Sequence, residues 1–397
     1  MINLELPTHL ENLQTMMHAV AKDLFRPISR KYDTNEHAVP EELAVIDRRK
    51  HRGVLERGGE KKKDGKKEGV RNAGNMATVV SVTEMCWGDV GLMLSVPGAG
   101  LGNAAIDAVA TPEQKERFGN AYASMAITEP ASGSDSGSIS TTAVLDGDEW
   151  VLNGEKIFVT AGGRCDHVVV WATLDKSKGK AAIKSFVVPV GAPGMELVGL
   201  EHKLGIRASD TATLRLTDCR IPQDNILGKA EISAGDKKGA FGKVMQTFDN
   251  TRPAVAAMAL GCGRAALDAT YELLGPDFKI SYDKPRWEMT ALEAELLRME
   301  ADLESARLLT LRAAFMADNR EPNSMEASMA KAKAGRVGNA ITLRCVELCG
   351  SLGYSQELLI EKFARDSKIL DIFEGTQQIQ QLIVARRLLN KSSADLK

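Results

Sequence analysis

Near its C-terminus the chain reads Asp371-Ile-Phe-Glu-Gly-Thr-Gln-Gln-Ile-Gln380, a setting in which the Glu374 carboxylate could act as a base. Gly375 permits an unusual backbone entry and Thr376 is placed to cap a final helix, so Glu374 is expected on a tight turn pointing out of the helices. A glutamate before a helix serves solvation or the helix dipole just as readily. A second segment, Met125-Ala-Ile-Thr-Glu-Pro-Ala-Ser-Gly-Ser-Asp135, breaks from a strand-like run into a loop of small, hydroxyl-bearing residues. Its backbone N–H groups and hydroxyls suit a polar ring edge or a pyrophosphate, although a plain connector has the same composition. Phe158-Val-Thr-Ala-Gly-Gly163 places an aromatic ring and a hydroxyl at a strand end, where the ring either stacks on a flat cofactor or fills a core. Phe248-Asp-Asn-Thr-Arg-Pro-Ala254 reads as a helix opening, with Pro253 in the first turn and a cap among Asp249 to Thr251. Arg252 there has the fork geometry for a buried polar or phosphate contact.

The elements that must hold these residues fall into three stretches. From Leu4 to about Gly119 the pattern is helical, with Leu13, Met16, Met17 and Val20 recurring at helical intervals. The run Arg57 to Lys67 interrupts it with glycines and six basic side chains, which favours a solvated loop over an anion-binding or docking patch. Between about Tyr122 and Ser233 short strands take over. Trp150-Val-Leu and Lys156-Ile-Phe-Val flank Asn153-Gly154, a dipeptide suited to a hairpin turn, and His167-Val-Val-Val-Trp, Ser185-Phe-Val-Val-Pro and Ala212-Thr-Leu-Arg-Leu repeat the pattern. A small antiparallel barrel or sandwich is expected.

After Gly239 helix returns. Val255, Met258, Cys262, Ala265, Ala269 and Leu273 mark one apolar face, and Leu296, Met299, Leu303, Ala306 and Leu309 or Leu311 a second. Met329, Lys333, Arg336, Ala340 and Leu343 fit a third, and a fourth helix runs from about Thr376 to Leu389. These predict a four-helix bundle. The expected domains are 1–120 (helical), 121–235 (small β) and 236–397 (helical bundle), a mostly α fold with a small β domain.

Lysine plus arginine number 51 against 53 aspartate plus glutamate among 397 residues, so no bulk charge draws the chain to nucleic acid or an anionic membrane. No apolar stretch approaches the ~20 residues needed to span a bilayer, and no secretory leader is evident, so a cytoplasmic protein without membrane insertion is expected. The six cysteines are scattered and read as reduced, buried thiols; none pairs with a histidine at zinc-site spacing, so no metal is expected.

Taken together, the segments resemble the acyl-CoA dehydrogenase family across nearly the whole chain and in the same order. The matching patterns are Thr-Glu-Pro-x-x-Gly-Ser-Asp at Thr128, Asn-Gly-x-Lys-x-x-x-Thr at Asn153, Lys-x-Gly-Ile-Arg at Lys203, Arg-Pro at Arg252 and Glu-Gly-Thr-x-x-Ile-Gln at Glu374. The resemblance implies an FAD enzyme that converts an acyl-CoA to the trans-2-enoyl-CoA, the α-proton going to Glu374 and the β-hydride to flavin N5. It implies that Met125, Ile127, Thr128 and Ser134 line the flavin and that Phe158, Val159 and Thr160 continue the pocket, Phe158 standing where many members carry Trp. Thr376 and Gln378 would touch FAD. Asp249 and Arg252 would contact the CoA end, with Ser134 and Gly375 also on the substrate side. An electron-transfer flavoprotein is the implied acceptor, and straight-chain fatty acyl-CoA the default substrate, with branched-chain or steroid-side-chain thioesters as rivals.

Two departures concern the adenine end of FAD, which family members commonly bind across a subunit boundary. Lys279-Ile-Ser-Tyr-Asp283 stands where the family has Arg-x-x-Phe-Gly, and Glu347-Leu-Cys-Gly-Ser351 where it has Gln-x-x-Gly-Gly. A glutamine donates to a pyrophosphate, whereas an ionised glutamate repels it. Besides a homotetramer, these changes suggest an α2β2 assembly with a homologous subunit and one FAD per heterodimer. A flavin oxidase or monooxygenase on the same fold, and a structural subunit without activity, are the competing expectations; an intact Glu374 opposes the monooxygenase and the structural role.

Overall fold

The computed structural model describes residues 5–46, 74–98, 100–232, 240–392 and 395; the basic run Arg57 to Lys67 lies outside them. The N-terminal part is helical: α1 (Thr8–Val20) passes through a π-helical turn at Ala21–Phe25 into α2 (Arg26–Thr34), followed by α3 (Gly74–Gly88), α4 (Val90–Leu94), α5 (Leu101–Val109) and α6 (Pro112–Phe118). Leu13 and Met17 pack on the core as their spacing requires, whereas Met16 is exposed. Thr111 and Gln114 exchange side-chain-to-backbone hydrogen bonds of 3.1 and 3.3 Å, which fixes the start of α6.

The middle part is one seven-stranded sheet: β1 (Ala123–Ala126), β2 (Thr142–Asp146), β3 (Glu149–Thr160), β4 (His167–Thr173), β5 (Ile183–Pro189), β6 (Met195–Leu200) and β7 (Thr211–Pro222). Along it the strands run β1-β4-β2-β3-β7-β6, with β5 also paired to β4. Most pairs are antiparallel, but β4 lies parallel to both β1 and β2. On β4, Val168 and Val170 belong to one core while Val169 and Trp171 belong to another, shared with Ala105 and Ile106 of α5. Both faces are covered, so the strand reads as a continuous apolar run and not as an alternation.

Asn153-Gly154 is not a hairpin turn. β3 runs straight through it, and the β3–β7 register shifts between Leu152 and Gly154, so the residues form an irregularity inside one long strand. A bulge asks for the same positive φ as a turn, here +152° at Gly154, which is why the dipeptide misleads. The turn joining β2 to β3 lies at Gly147, φ +65°.

The C-terminal part holds α7 (Ala240–Leu274), α8 (Ala291–Asp318), α9 (Ser324–Leu348), α10 (Gly350–Tyr354), α11 (Ile360–Ile369) and α12 (Gln377–Leu389). α7 opens at Ala240 and not at Phe248, so Pro253 sits inside it. The missing proline N–H leaves the Asp249 carbonyl without its usual partner, and Asn323 Nδ2 reaches that oxygen at 3.4 Å. α9 buries a different face from the one its apolar residues suggest: Ala327, Ala330, Lys331, Ala334, Gly338, Ile341 and Cys345 face inward, while Arg336, Ala340 and Leu343 are exposed.

A seam of close contact joins α3 to α7. A side chain at Gly261 would fall 2.2 Å from the Thr83 carbonyl, so the two backbones touch. On the same seam Arg264 forks onto both carboxylate oxygens of Glu84, and Trp87 Nε1 donates to Asp268 at 2.7 Å.

Candidate active site

Two groups of side chains form. The first belongs to the sheet. Glu129, buried at the head of the hydroxyl-rich loop, accepts from the backbone N–H and hydroxyl of Ser140 (2.6 and 2.6 Å), from those of Thr141 (2.9 and 2.6 Å) and from Lys156 Nζ (2.7 Å). Lys156 also donates to the Ile127 carbonyl at 3.1 Å, and Ile157 N–H donates to the Thr128 carbonyl at 2.9 Å. These bonds lay Ile127 and Thr128 along Lys156 and Ile157, next to Phe158.

The buried pair is asymmetric. Burial raises the Glu129 carboxyl, but Lys156 and the Ser140 and Thr141 donors outweigh it and bring the pKa down to about 2. For Lys156 burial wins over the same carboxylate, lowering it to about 8. The ammonium's desolvation therefore offsets much of what the carboxylate gains, and the pair is better read as a loop anchor than as a source of stability. Removing one partner is a different matter: Glu129→Ala strands a buried ammonium, and a loss of about 3–5 kcal/mol in denaturant unfolding is expected. An unchanged unfolding midpoint would show that the loop does not depend on this anchor.

Phe158 has φ +57° and is 58% exposed, so its ring is not core filling. Val159 is the opposite: its side chain is buried in the sheet's core, leaving only its backbone for a cofactor. Ser134 is exposed and Thr160 half-buried.

The second group belongs to the helices. Glu374 and Gly375 are successive residues with positive φ, +53° and +98°. Such a turn is unfavourable for glutamate and persists only where its surroundings hold it. Three contacts do so. Thr251 Oγ1 on α7 donates to Glu374 Oε2 at 2.7 Å, Gln380 Nε2 donates to the Glu374 and Gly375 carbonyls at 3.0 Å each, and Lys331 Nζ on α9 donates to the Gly375 carbonyl at 2.7 Å. Glu374 is thus half-buried and turned onto α7, not pointed out of the bundle. Burial pushes its carboxyl above the usual glutamate value, against the Thr251 hydrogen bond and the charges of Arg252 and Lys331.

Arg252 is buried and donates to Asp249 Oδ1 at 2.6 Å, so these two residues meet each other, and the Arg252 charge also acts on Glu374. Thr376 stands at the N-cap of α12 but makes no capping hydrogen bond with its side chain. Gln377 is buried instead, donating to the Ala332 carbonyl at 2.7 Å, while Gln378 is exposed. No hydrogen bond or ion pair among the described residues joins the two groups directly. The loop after β6 lies between the sheet and the helices, where Ile206 N–H donates to Asp366 Oδ1 at 2.5 Å and a side chain at Gly205 would strike the Arg365 backbone.

Sequence reasoning did not identify Thr251, Lys331 or Gln380. Thr251 lies one residue from Arg252 in the same motif and was read only as a cap. Lys331 carried no signal beyond being a lysine in a run of alanines. Among the described residues Glu36, His37 and His202 offer ligand atoms within 4.8 Å of one another. Lys203 Nζ stands 3.8 Å from the same Glu36 carboxylate, a cation already in place.

Family models for the N-terminal, middle and C-terminal domains of acyl-CoA dehydrogenases match residues 7–126, 124–219 and 240–389. The chain is 36% identical over 396 residues to the mitochondrial short-chain specific acyl-CoA dehydrogenase of Bos taurus, covering 98% of this chain and 92% of that protein. The structure of butyryl-CoA dehydrogenase from Megasphaera elsdenii superposes with a TM-score of 0.84 at 28% identity, covering 98% of this chain and 100% of that one. A chain from a structural study of the electron transferring flavoprotein of Acidaminococcus fermentans gives 0.82 at 29% identity, covering 98% and 100%.

Proposed function

Since this chain belongs to the acyl-CoA dehydrogenase family of FAD-dependent oxidoreductases, we propose that it dehydrogenates an acyl-CoA thioester to the trans-2-enoyl-CoA with Glu374 as its base. The observation that carries this is a carboxylate held on a strained turn by Thr251, its proton affinity raised by burial. A glutamate in water is too weak a base for an α-proton; burial moves it toward a useful value.

The residues present fit FAD. The ring of Phe158 is exposed beside the anchored Thr128 loop, and the Thr376 hydroxyl is not spent on its helix. Met125, Ile127, Thr128, Ser134, Phe158, Thr160 and the Val159 backbone would hold the flavin, with Thr376 and Gln378 contributing from α12. When bound, FAD supplies the two-electron acceptor for the β-hydrogen. The protein supplies the rest. The Glu374 backbone N–H polarises the thioester carbonyl, Glu374 takes the α-proton, Gly375 and Ser134 border the acyl group, and Asp249 with Arg252 meets the CoA end.

The names of the relatives favour a short straight-chain acyl-CoA, and the likeness to the Acidaminococcus chain favours an electron-transfer flavoprotein as acceptor. No described helix is long and apolar enough to cross a membrane. Anaerobic titration with a panel of acyl-CoA thioesters tests the reading: a short-chain thioester should bleach the bound flavin, and reoxidation should be fast with electron-transfer flavoprotein and slow in air. No bleaching by any thioester would overturn it, and rapid turnover in air would move the chain to the oxidases.

Two exposed residues favour a hetero-oligomeric variant of this reading. Lys279 and Glu347 are both on the surface, and Glu347 is ion-paired to Arg344, which leaves a carboxylate where a pyrophosphate donor is expected. In the same samples, flavin well below one per chain would support an α2β2 assembly, and full occupancy with activity would support a homo-oligomer.

A further inference from the structure

α9 carries a lysine with no evident reason to be inside the protein. Lys331 is fully buried, and its ammonium hydrogen-bonds the Gly375 carbonyl at 2.7 Å, one residue from Glu374. Burying an ammonium is expensive, and a lysine kept there for packing alone would be better replaced by an apolar residue. Its position against the left-handed turn suggests a different use. We propose that Lys331 is a positioning residue for the reaction: its ammonium holds the Glu374–Gly375 turn by the carbonyl and, as a cation facing the Glu374 carboxylate, sets the pH range in which that base is ionised. The inference rests on Glu374 being the base and adds to it the group that governs its protonation.

The surroundings of Lys331 support an electrostatic role. From the turn it faces Asp371 and Glu374, and from α7 it faces Arg252. Asp371 is engaged elsewhere, accepting from Gln377 and lying 3.7 Å from Lys368 Nζ. Arg252 is engaged by Asp249, and Gln380 on α12 supports the same carbonyls with a neutral amide. Lys331 is therefore the cation on this turn whose hydrogen bond goes to backbone and not to a carboxylate, and its charge acts on Glu374 together with that of Arg252. Burial lowers its own pKa to about 8, against the attraction of Asp371 and Glu374. As pH rises through that value the ammonium is discharged, and Glu374 loses an electrostatic partner.

Two substitutions separate the hydrogen bond from the charge. Lys331→Gln keeps a donor for the Gly375 carbonyl without the cation; Lys331→Met removes both. In flavin-loaded enzyme the acid limb of the kcat/KM profile is expected to move to higher pH by about one unit in both variants, because loss of a nearby cation raises a carboxyl pKa. The KM for acyl-CoA should rise further in Lys331→Met than in Lys331→Gln. The Glu374 carboxyl resonance, recorded on protein labelled with 13C-glutamate and identified by its absence in Glu374→Gln, should titrate at correspondingly higher pH. An acid limb and a carboxyl titration both unmoved in Lys331→Gln would overturn the proposal. Normal turnover in Glu374→Gln would instead overturn the assignment of the base. If Lys331→Met fails to fold, the Gln variant and the carboxyl titration still decide.

Discussion

Replacing Glu374 by glutamine is expected to leave flavin and acyl-CoA binding in place while turnover falls by roughly two to four orders of magnitude. The amide keeps the size of the side chain and can still accept from Thr251 Oγ1, so the turn should not move. What it cannot do is take a proton. The wild-type profile supplies a second check. Burial raises the Glu374 pKa, so the reactive carboxylate is lost as pH falls through a value above that of an ordinary glutamate, and kcat/KM should fall there with a slope of one proton. The effect on stability has the opposite sign. The folded protein binds this proton more tightly than the unfolded chain, so the ionised carboxylate costs stability above its folded pKa, and that cost fades as pH drops through it. Glu374→Gln should therefore unfold no earlier than wild type at neutral pH, with the advantage vanishing in acid. Thermal unfolding of both proteins across pH measures this; a variant less stable at neutral pH would mean that the carboxylate is structural.

A loss of stability as large as that of Glu129→Ala, and spread over more of the chain, is expected from Lys362→Met. Lys362 is buried on α11 with its ammonium 2.7 Å from Asp89 Oδ2 and 2.5 Å from Asp366 Oδ2. The remaining valences are filled from three directions: Ser29 Oγ on α2 reaches Asp89, Leu92 N–H donates to Asp89 Oδ1 at 2.8 Å, and Ile206 N–H from the sheet's loop donates to Asp366. Removing the cation leaves two carboxylates facing each other in the interior, a loss of about 3–5 kcal/mol. Because the cluster draws on all three parts of the chain, the variant should show separate unfolding steps in calorimetry where wild type shows one. Adding Asp89→Asn and Asp366→Asn should recover much of the loss by removing the stranded charges. A Lys362→Met protein that melts like wild type would show that the triad is not what joins the parts.

Much of the fold, and the turn on which the candidate base Glu374 sits, are legible in the sequence because local backbone demands force rare residue combinations. Gly375 follows a left-handed glutamate with φ +98°, and the small hydroxyl-bearing loop and the exposed ring of Phe158 are local features that a sequence records directly. The misread parts share a cause. Buried charge breaks the apolar periodicity from which helix faces are read: with Glu326 and Lys331 on the inner side of α9 that face no longer reads as apolar, and the exposed Ala340 and Leu343 draw the reading to the other side. Pro253 looks like a helix start because the residue that compensates it, Asn323, lies far along the chain, just before α9. The long-range partners Thr251, Lys331 and the Asp89–Lys362–Asp366 triad are invisible in one dimension, since nothing in the spacing of single residues records which carboxylate a lysine will meet.

The seam between α3 and α7 acts as a vernier. Where Gly261 meets the Thr83 carbonyl there is no cushion of side chains to absorb a displacement, and the fork of Arg264 on Glu84 is cut for one axial setting. A slip of a single turn along α7 would carry Thr251 about 5 Å past the carboxylate it holds. A helix of the N-terminal part thereby calibrates how far along its axis α7 is threaded past the Glu374 turn.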